Sequence, residues 1–413
     1  MSKIIIIGGG ASGMLAAIEA SKNKNNEVLI IERNNKLGKK LLLTGNGKCN
    51  YTNLNFDIDK ISYYYNNDFY KTAFQIFDNN SLIEYFKNMG IEPRIFERDG
   101  IKYVYPLTNK SKDVYYTMYN FILNSNIDII YNEKVIDIKN ESDNYNIITD
   151  KDEYLADKVI IATGGKSYSR TGSDGMMFDV LKNMGYKIIK PTPALCGLVS
   201  DDKLFKSLES FRCFVKAHLY IDDQIVNCEY GEVQFNNYGL SGIPIMNLSR
   251  FASRALVENK KVKFGLDFLV DVLDTKDLSG VNLYFTKRRE ILSDSKVSEF
   301  LSGLIDYRLS NYIYEILKID KNKYIKDITD DELDKFTKIL TNMNIDITDT
   351  RDFYEAQITS GGIDVSQVNP ESSESKLHKN LFFTGEVLDV DGICGGYNLQ
   401  FAFGSAYIVG HNI

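Results

Sequence analysis

Residues 3–13, Lys-Ile-Ile-Ile-Ile-Gly-Gly-Gly-Ala-Ser-Gly, form an apolar run that leads directly into the pattern Gly8-x-Gly10-x-x-Gly13. In such a stretch Gly8 permits a tight turn, and Gly10 lets a pyrophosphate approach the backbone. Gly13 lets the following helix, predicted over 14–24, pack closely on the strand. The N-terminus of that helix offers N–H groups and a positive dipole end to phosphates. The stretch therefore predicts the first half of a dinucleotide-binding βαβ unit.

The next apolar strand completes this unit. Residues 28–31, Val-Leu-Ile-Ile, lead into Glu32, which follows the glycines at the usual distance of the acidic residue, about 20 positions. Its carboxylate can accept hydrogen bonds from both hydroxyls of an adenosine ribose and would repel a 2′-phosphate. Because the same unit can hold NAD or FAD, the choice between them depends on the rest of the chain.

Composition limits the classes of partner. The chain has 413 residues, enough for about two to three domains and a large buried core. Its net charge of −7, with lysines scattered rather than clustered, argues against a nucleic-acid-binding surface or a polybasic membrane patch. No apolar run approaches the ~18 residues that a membrane span needs. We therefore expect a small-molecule substrate and neither a nucleic-acid nor a membrane partner; the oligomeric state is not predicted.

The five cysteines are odd in number and show no C-x-x-C motif and no pairing with histidines. Neither a disulfide framework nor a structural zinc site is therefore predicted. This use of cysteine is typical of a reducing compartment, and we expect a cytoplasmic protein without a metal site.

The middle of the chain shows two kinds of pattern before residue 190. Helical spacing of apolar residues occurs over 68–90 and 111–125. Four short strand patterns follow over 127–161, and the last ends on a glycine turn. This order predicts a small β-meander inserted into a parallel sheet.

A boundary is indicated by Pro191 and Pro193. Apolar and polar residues alternate beyond them and predict antiparallel strands over 190–265, with a hairpin turn at Asp222-Asp223. From 275 to 344 the apolar period becomes helical.

The C-terminal segment decides between the two dinucleotides. A strand ends in Thr384-Gly385-Glu386 and leads through a glycine-rich stretch into a helix predicted over 398–410. This looks like the closing element of two-part FAD-binding folds, in which the acidic residue approaches the ribityl chain and pyrophosphate. The helix N-terminus there stabilises the negative charge that develops on the flavin during reduction. FAD needs such a second grip and NAD does not, so FAD is the predicted cofactor.

Six motifs together resemble one family of bacterial flavoproteins, the BaiN/YhiN-like NAD(P)/FAD-dependent oxidoreductases, also described as aminoacetone oxidase-like FAD-binding enzymes. The match runs from Ile4 to about Gly410. The motifs are TGNGKCN at 44–50, ATGGKSYSRTGSDG at 162–175, NNYGLSGIP at 236–244, TSGGIDVSQVNP at 359–370, ESK at 374–376 and TGEVLDVDGICGGYNLQ at 384–400.

The resemblance implies an α/β fold in three parts. These are a discontinuous, Rossmann-like FAD-binding domain of the two-part, glutathione-reductase-like type, an inserted antiparallel β-barrel and a small helical subdomain. The implied boundaries are 1–189 with 360–413 for the FAD-binding domain, 190–265 with 345–359 for the barrel, and 266–344 for the helical subdomain.

The candidate cofactor contacts come from the resemblance and from the motifs. The resemblance implies contacts at Ser12, Glu32, Arg33, Lys40, Leu41, Val135, Glu386, Asn398 and Leu399, with Val135 offering its backbone to the adenine. The motifs add Gly8, Gly10, Ala11, Gly13, Thr44, Gly45, Gly47, Cys49, Asn50, Ala162, Thr163, Gly164, Gly385, Gly396 and Tyr397.

Three residues are weak candidates for chemistry of their own. Cys49 lies in a loop expected near the flavin, but a disulfide reductase needs a second cysteine close by, so a packed thiol is favoured. Cys394 either touches the substrate or is simply a small residue in a tight loop. Tyr397, beside the helix N-terminus, is the better candidate for a proton donor, and stacking or plain packing is as consistent with its position. The histidines and the basic residues 287–289 are expected on solvated surfaces.

These observations lead to one main functional hypothesis and two alternatives. The main one is an FAD-dependent oxidoreductase that passes a hydride through flavin N5, from NADH or NADPH as a transient donor to a small unsaturated or carbonyl substrate. The first alternative is an amine oxidase of the aminoacetone type that uses dioxygen, favoured because no second GxGxxG motif offers a site for a nicotinamide. The second alternative, of another class, is a non-enzymatic flavin-binding sensor or interaction protein.

Overall fold

The sheet that begins at the N-terminus lies in a unit made of two chain segments. The computed structural model describes residues 1–56, 67–98, 100–141 and 144–413. One unit, here called the discontinuous unit, consists of Met1–Pro193 and Phe353–Ile413, and the other, the inserted unit, of Ala194–Asp352.

The helices and strands are numbered along the chain. The helices are α1 (Ala11–Ala20), α2 (Thr44–Gly47), α3 (Asn67–Ile76), α4 (Asn79–Asn88), α5 (Ser111–Leu123), α6 (Met176–Asn183), α7 (Leu204–Ser207), α8 (Ile243–Val257), α9 (Leu278–Ile291), α10 (Tyr307–Ile316), α11 (Asp330–Thr341) and α12 (Tyr397–Asn412). The strands are β1 (Ser2–Ile7), β2 (Asn26–Glu32), β3 (Thr52–Asn53), β4 (Pro93–Arg98), β5 (Ile101–Pro106), β6 (Ile127–Tyr131), β7 (Val135–Glu141), β8 (Asn144–Thr149), β9 (Glu153–Ala156), β10 (Lys158–Ile161), β11 (Ile188–Ala194), β12 (Leu198–Val199), β13 (Arg212–Ile221), β14 (Gln224–Asn236), β15 (Gly239–Ser241), β16 (Val262–Asp267), β17 (Met343–Ile347), β18 (Asp349–Thr350), β19 (Ile358–Ile363) and β20 (Leu381–Phe383).

The discontinuous unit is built on a five-stranded parallel sheet with the order β20-β10-β1-β2-β6. Its central strand, β1, is the isoleucine run, and Ile4, Ile5 and Ile6 are fully buried. Such a run suits a parallel sheet that is covered on both faces. Because the strands are parallel, their carboxyl ends share one edge, where Ile7, Ile161 and Phe383 end β1, β10 and β20.

The predicted βαβ unit and its insertion are both present. Helix α1 runs between β1 and β2, and it begins and ends a few residues earlier than the predicted range 14–24. Strands β7, β8 and β9 form an antiparallel three-stranded sheet. In the sequence they lie between β6 and β10 of the parallel sheet, so the predicted β-meander is confirmed. The helical pattern over 68–90 corresponds to two helices, α3 and α4. They are separate because the Asp78 side chain caps the start of α4 by accepting from the Ser81 N–H.

The last helix ties the two segments of this unit together. Helix α12 packs against α1, and a Cβ placed on Gly410 would lie 2.4 Å from the Cβ of Glu19 and 2.9 Å from the carbonyl oxygen of Ala16. Only a glycine lets the helices approach this closely, because any side chain would overlap the facing helix. The approach places the end of the chain on the first βαβ unit.

The inserted unit contains a seven-stranded antiparallel sheet with the order β17-β16-β13-β14-β15-β12-β18. The order is open, with β17 and β18 at its two ends, so residues 194–352, all of which are described, form no closed barrel. This corrects the expected β-barrel. The predicted hairpin turn is confirmed, since Asp222 and Asp223 both have positive φ, 49° and 67°, between β13 and β14.

Two helices of the inserted unit, the short α7 and the longer α8, were not predicted. Helix α8 interrupts the strands expected over 190–265. It begins with Pro244 in its first turn, and Ile245, Leu248 and Ala252 are fully buried at helical spacing. The strand interpretation was therefore wrong here because the apolar alternation of β13 and β14 was extended past its end.

The predicted helical segment over 275–344 is confirmed as α9, α10 and α11. These helices and the sheet share one hydrophobic core, to which Phe264, Phe285 and Phe336 contribute. The boundaries of a separate helical subdomain stay a prediction. None of the helices in the described part of the chain combines the length and apolar character needed to cross a bilayer.

Candidate functional site

Three glycine turns meet at the carboxyl edge of the parallel sheet. Gly8 follows β1 with φ +100°, and a Cβ placed on it would lie 2.7 Å from the carbonyl oxygen of Ala162, which follows β10. After β20, a Cβ on Gly385 would lie 2.7 Å from the hydroxyl oxygen of Ser12. The sheet therefore brings together motifs that lie more than 370 positions apart in sequence, as the distance between Ser12 and Gly385 shows.

The N-terminus of α1 lies at the centre of this edge. A Cβ on Gly13 would lie only 2.0 Å from the Gly8 carbonyl oxygen, so Gly13 lets the helix pack on the turn. Around Gly10 there is space instead, because a Cβ there would meet no atom of the described residues within 4 Å. None of these residues caps the helix with its side chain. The open space before its first turn and the helix dipole together suit a pyrophosphate.

The Glu32 carboxylate accepts hydrogen bonds within the protein, in addition to the ribose contacts predicted for it. It is 7 % exposed, and its Oε2 accepts from the Gly9 N–H at 2.8 Å. Its Oε1 accepts from the backbone and side-chain amides of Asn34, at 2.8 and 2.7 Å. A carboxylate offers about four acceptor positions, so room remains for a ribose hydroxyl. The carboxylate thus also fixes the glycine turn, which the sequence pattern did not reveal.

Two further residues implied by the resemblance lie around Glu32. The Arg33 guanidinium forms an ion pair with Asp174 at 2.6 Å and donates to the Gly172 carbonyl at 3.1 Å. Partial burial acts to raise the pKa of Asp174, but the hydrogen bond and charge of Arg33 outweigh it and lower that pKa. Val135 begins β7 and is nearly buried. The Arg33 guanidinium therefore binds the loop 171–174, a contact that the sequence pattern does not reveal.

A polar cluster links three loops and strand β19; we call its members Lys40, Ser167, Thr359 and Glu386 the Lys40 cluster. The Lys40 ammonium lies 2.5 Å from Glu386 Oε2 and 2.8 Å from the Ser167 hydroxyl. Glu386 Oε1 accepts from the Ser167 hydroxyl at 2.7 Å and from the Thr359 N–H at 2.8 Å. Oε1 of this carboxylate is therefore held by two groups, and Oε2 is held by the Lys40 ammonium. The cluster places a lysine beside the acidic residue that is expected near the pyrophosphate.

The loop 44–50 is tightly turned. Gly45, Asn46, Gly47 and Cys49 all have positive φ, between 53° and 79°. Cys49 is fully buried, and burial raises the pKa of its thiol to about 12 in spite of a hydrogen bond with Thr44 that acts to lower it. At neutral pH this thiol is protonated, as the packed-thiol interpretation expects.

The segment before α12 is held by strand β3. A Cβ on Gly396, whose φ is +90°, would lie 2.8 Å from the backbone of Thr52, and the Asn53 amide donates to the Gly395 carbonyl at 2.8 Å. The Asn398 side chain accepts from the Gly392 N–H and donates to the Gly392 carbonyl, both at 2.9 Å. No side chain of the described residues caps α12. The N–H of Leu399, in the first turn, could therefore donate to a ligand.

The weak catalytic candidates lie near this turn. Tyr397 is 2 % exposed, and its ring centroid is 4.6 Å from that of Phe56. Cys394 is partly buried. A role of either residue in proton transfer or substrate contact stays a prediction.

The basic residues 287–289 have structural partners. Arg288 donates to the carbonyls of Phe300 and Ser302, and Arg289 donates to Ile328 and pairs with Asp330. The expectation of a solvated face was therefore wrong for these two arginines, because their guanidinium groups bind carbonyls at loop and helix ends.

The residues at the sheet edge fit a dinucleotide. The Thr163 hydroxyl oxygen, directly after β10, is buried and has no hydrogen-bond partner among the described residues. Such a group is costly unless a ligand or water satisfies it. Together with the open space at Gly10 and the remaining acceptor position of Glu32, it supplies the hydrogen-bonding groups that a nucleotide needs. The described residues contain no group of three or more His, Cys, Asp or Glu side chains that could hold a metal ion.

Comparison with known proteins gives one family across nearly the whole chain. The description "HI0933-like protein Rossmann domain" matches residues 2–412. The 3-dehydro-bile acid delta(4,6)-reductase of Clostridium scindens is 32 % identical over 99 % of this chain and 98 % of its own length. The ribosomal RNA dihydrouridine synthase of Haemophilus influenzae is 24 % identical over 98 % of this chain and 97 % of its own.

Among solved structures, the fold is similar to that of 3-ketosteroid delta1-dehydrogenase from Sterolibacterium denitrificans. The TM-score is 0.51 at 10 % identity, and the match covers 99 % of both chains. At this identity the likeness concerns the fold alone, a Rossmann-like α/β fold of the flavoprotein type.

Two glycine variants separate stability from cofactor binding. Gly13→Ala places its methyl against the Gly8 carbonyl and should lower the free energy of unfolding by about 1–3 kcal/mol or more. Gly10→Ala should lower it by about 1 kcal/mol or less, because the methyl meets no atom of the described residues and only the N-cap preference for glycine over alanine is lost. It should instead weaken FAD binding about tenfold or more, or about 1.4 kcal/mol. Urea unfolding and FAD titration check this; a Gly10→Ala protein that binds FAD normally contradicts it.

Alkylation tests the state of Cys49. The raised pKa keeps its thiol protonated at pH 8, and burial excludes reagent, so iodoacetamide should leave Cys49 unmodified in the native protein. Cys228 is exposed and should react within minutes. Peptide mass spectrometry before and after unfolding in urea measures both; rapid modification of native Cys49 would show that the thiol is accessible and ionised.

Proposed function

This chain belongs to the HI0933-like Rossmann family, and on that premise we propose that it is an FAD-dependent reductase that adds hydrogen to a carbon–carbon double bond conjugated with a carbonyl. Membership of the family and the similarity to a named reductase make it an enzyme of the oxidoreductase class with a flavoprotein-type fold. The observation that favours FAD over NAD is that two separate binding segments meet at one edge of the sheet. One is the turn at Gly8–Gly13, and the other is the segment from Gly385 to Leu399.

The residues that would hold FAD follow from this geometry. The first turn of α1, from Ala11, would bind the pyrophosphate, Glu32 a ribose hydroxyl, and the Val135 backbone the adenine. Glu386 would approach the ribityl chain. When bound, FAD supplies the hydride for the reduction.

The Lys40 cluster would reduce the electrostatic repulsion between Glu386 and the pyrophosphate. A carboxylate next to the negative pyrophosphate would repel it in the partly buried site. The ammonium of Lys40, in contact with Glu386, offsets that charge, and Ser167 and Thr359 keep the carboxylate oriented. Lys40 therefore lets an acidic side chain lie near the phosphates without a net loss in affinity.

The substrate class is proposed from the two relatives. The name of the first describes the reduction of double bonds at positions 4 and 6 of a compound with an oxidised C3. The name of the second describes the product of saturating a uracil ring, whose C5=C6 bond is conjugated with a carbonyl. Both reactions saturate the same functional group, although the substrates differ in size. The net charge of −7 favours a small molecule over RNA, since RNA binding needs basic surface.

We also propose that NADH or NADPH reduces the flavin by a transient encounter and that the protein acts in the cytoplasm. The sequence has no second glycine pattern for a bound nicotinamide. The same feature favours the amine oxidase as the second candidate function, in which an amine replaces the nicotinamide as donor and dioxygen accepts the electrons.

An anaerobic assay distinguishes the two candidates. The protein, loaded with FAD, should be reduced by NADH or NADPH, and a 4-en-3-one steroid should then reoxidise it with formation of one saturated ketone per flavin. The flavin absorption band and mass spectrometry of the product measure both half-reactions. Uridine-containing ribosomal RNA is the matched alternative acceptor. If only aminoacetone reduces the flavin and no enone reoxidises it, the amine oxidase replaces the proposal.

A further inference from the structure

A hairpin of the discontinuous unit brings two tyrosines to the glycine turns of the site. Tyr103 and Tyr105 alternate on β5, so their side chains lie on the same face of the strand. A Cβ on Gly45 would lie 3.7 Å from Cε1 of Tyr105, and a Cβ on Gly395 would lie 3.4 Å from Cε1 of Tyr103. One phenol ring therefore stands at each of the two turns, in loop 44–50 and before α12.

The position of this strand is fixed by the site itself. Strand β5 pairs with β3 in the register Thr52 to Val104 and Asn53 to Tyr103. Strand β3 is in turn held against α12, because Asn53 donates to the Gly395 carbonyl and the Thr52 backbone touches Gly396. The tyrosines are thus placed by the same contacts that place the N-terminus of α12.

Tyr105 has the properties of a proton donor. It is half-buried, and its hydroxyl has no hydrogen-bond partner among the described residues. Burial raises the pKa of its phenol above the usual value, so the group stays protonated at neutral pH. Tyr397, the donor suggested by the sequence, is instead 2 % exposed and packed on Phe56.

We infer that Tyr105 donates the proton in the reduction and that Tyr103 lies against the substrate at the neighbouring turn; this inference rests on the proposed function. Reduced FAD, when bound, would supply the hydride that forms the C–H bond at the β-carbon of the enone. The π electrons of the double bond move toward the carbonyl, and the α-carbon then takes the proton of the Tyr105 hydroxyl. Solvent returns a proton to the phenolate. The substrate gains two hydrogens, and the nicotinamide donor is oxidised.

The first test does not depend on turnover. A phenol close to the isoalloxazine quenches flavin fluorescence by electron transfer, and phenylalanine does not. The double variant Tyr103→Phe/Tyr105→Phe should therefore raise the fluorescence of bound FAD at least twofold over wild type. Tyr116→Phe, which changes an exposed tyrosine of α5, is the matched control and should leave it unchanged. Equal fluorescence in all three proteins would show that the pair is not at the flavin and overturns the inference.

The second test separates the two half-reactions. Tyr105→Phe should lower the rate of enone reduction by about 100-fold or more, the usual contribution of a general acid. It should leave FAD content and the rate of flavin reduction by NADH or NADPH unchanged, and Tyr116→Phe should match wild type in every step. If wild type reduces enones and Tyr105→Phe does so equally fast, only the inference fails. If wild type reduces none, the proposed function fails as well.

Discussion

The structure depends on how closely main chains approach each other at the carboxyl edge of its parallel sheet. A Cβ on Gly13 would lie 2.0 Å from the Gly8 carbonyl, and one on Gly385 would lie 2.7 Å from the Ser12 hydroxyl. A side chain at either position would overlap its neighbour, so glycine lets α1 pack on the turn after β1 and lets the turn after β20 approach Ser12. This constraint brings the two ends of the chain to one place. At Gly10, directly before α1, a Cβ would meet no atom of the described residues within 4 Å.

The chemistry of the edge follows from that approach. No side chain in the described part of the chain caps the N-termini of α1 and α12, and the nearby carboxylates are held by hydrogen bonds. Glu32 is held by Gly9 and Asn34, and Glu386 by Lys40, Ser167 and Thr359. Because each carboxylate is fixed before a ligand arrives, little ordering remains to be done on binding, which favours affinity. A preorganised anion site at one end and a helix N-terminus at the other are the two requirements of FAD.

Much of this could be predicted from local sequence. The pattern at Gly8–Gly13 with Glu32, the β-meander before β10 and the turn at Asp222-Asp223 are short-range signals, and the structure contains each. Helix α8 was missed because its buried residues follow a region of clear strand alternation. The further partners of Glu32 and the place of Tyr105 could not be predicted, since both arise from packing between segments far apart in the sequence. The closed barrel was expected from a family resemblance, whereas the seven-stranded sheet of the inserted unit is open, with β17 and β18 at its two ends.

The most direct measurement is a titration of the flavin-free protein with FAD, FMN and NADH, monitored by flavin absorption and by the heat of binding. The two-grip site predicts saturable binding of one FAD per chain, with FMN much weaker because it lacks the adenosine that Glu32 and the first βαβ unit hold. NADH should show no comparable tight site. Saturable binding of NADH together with no binding of FAD would contradict the account, because the edge would then be a single-grip nicotinamide site.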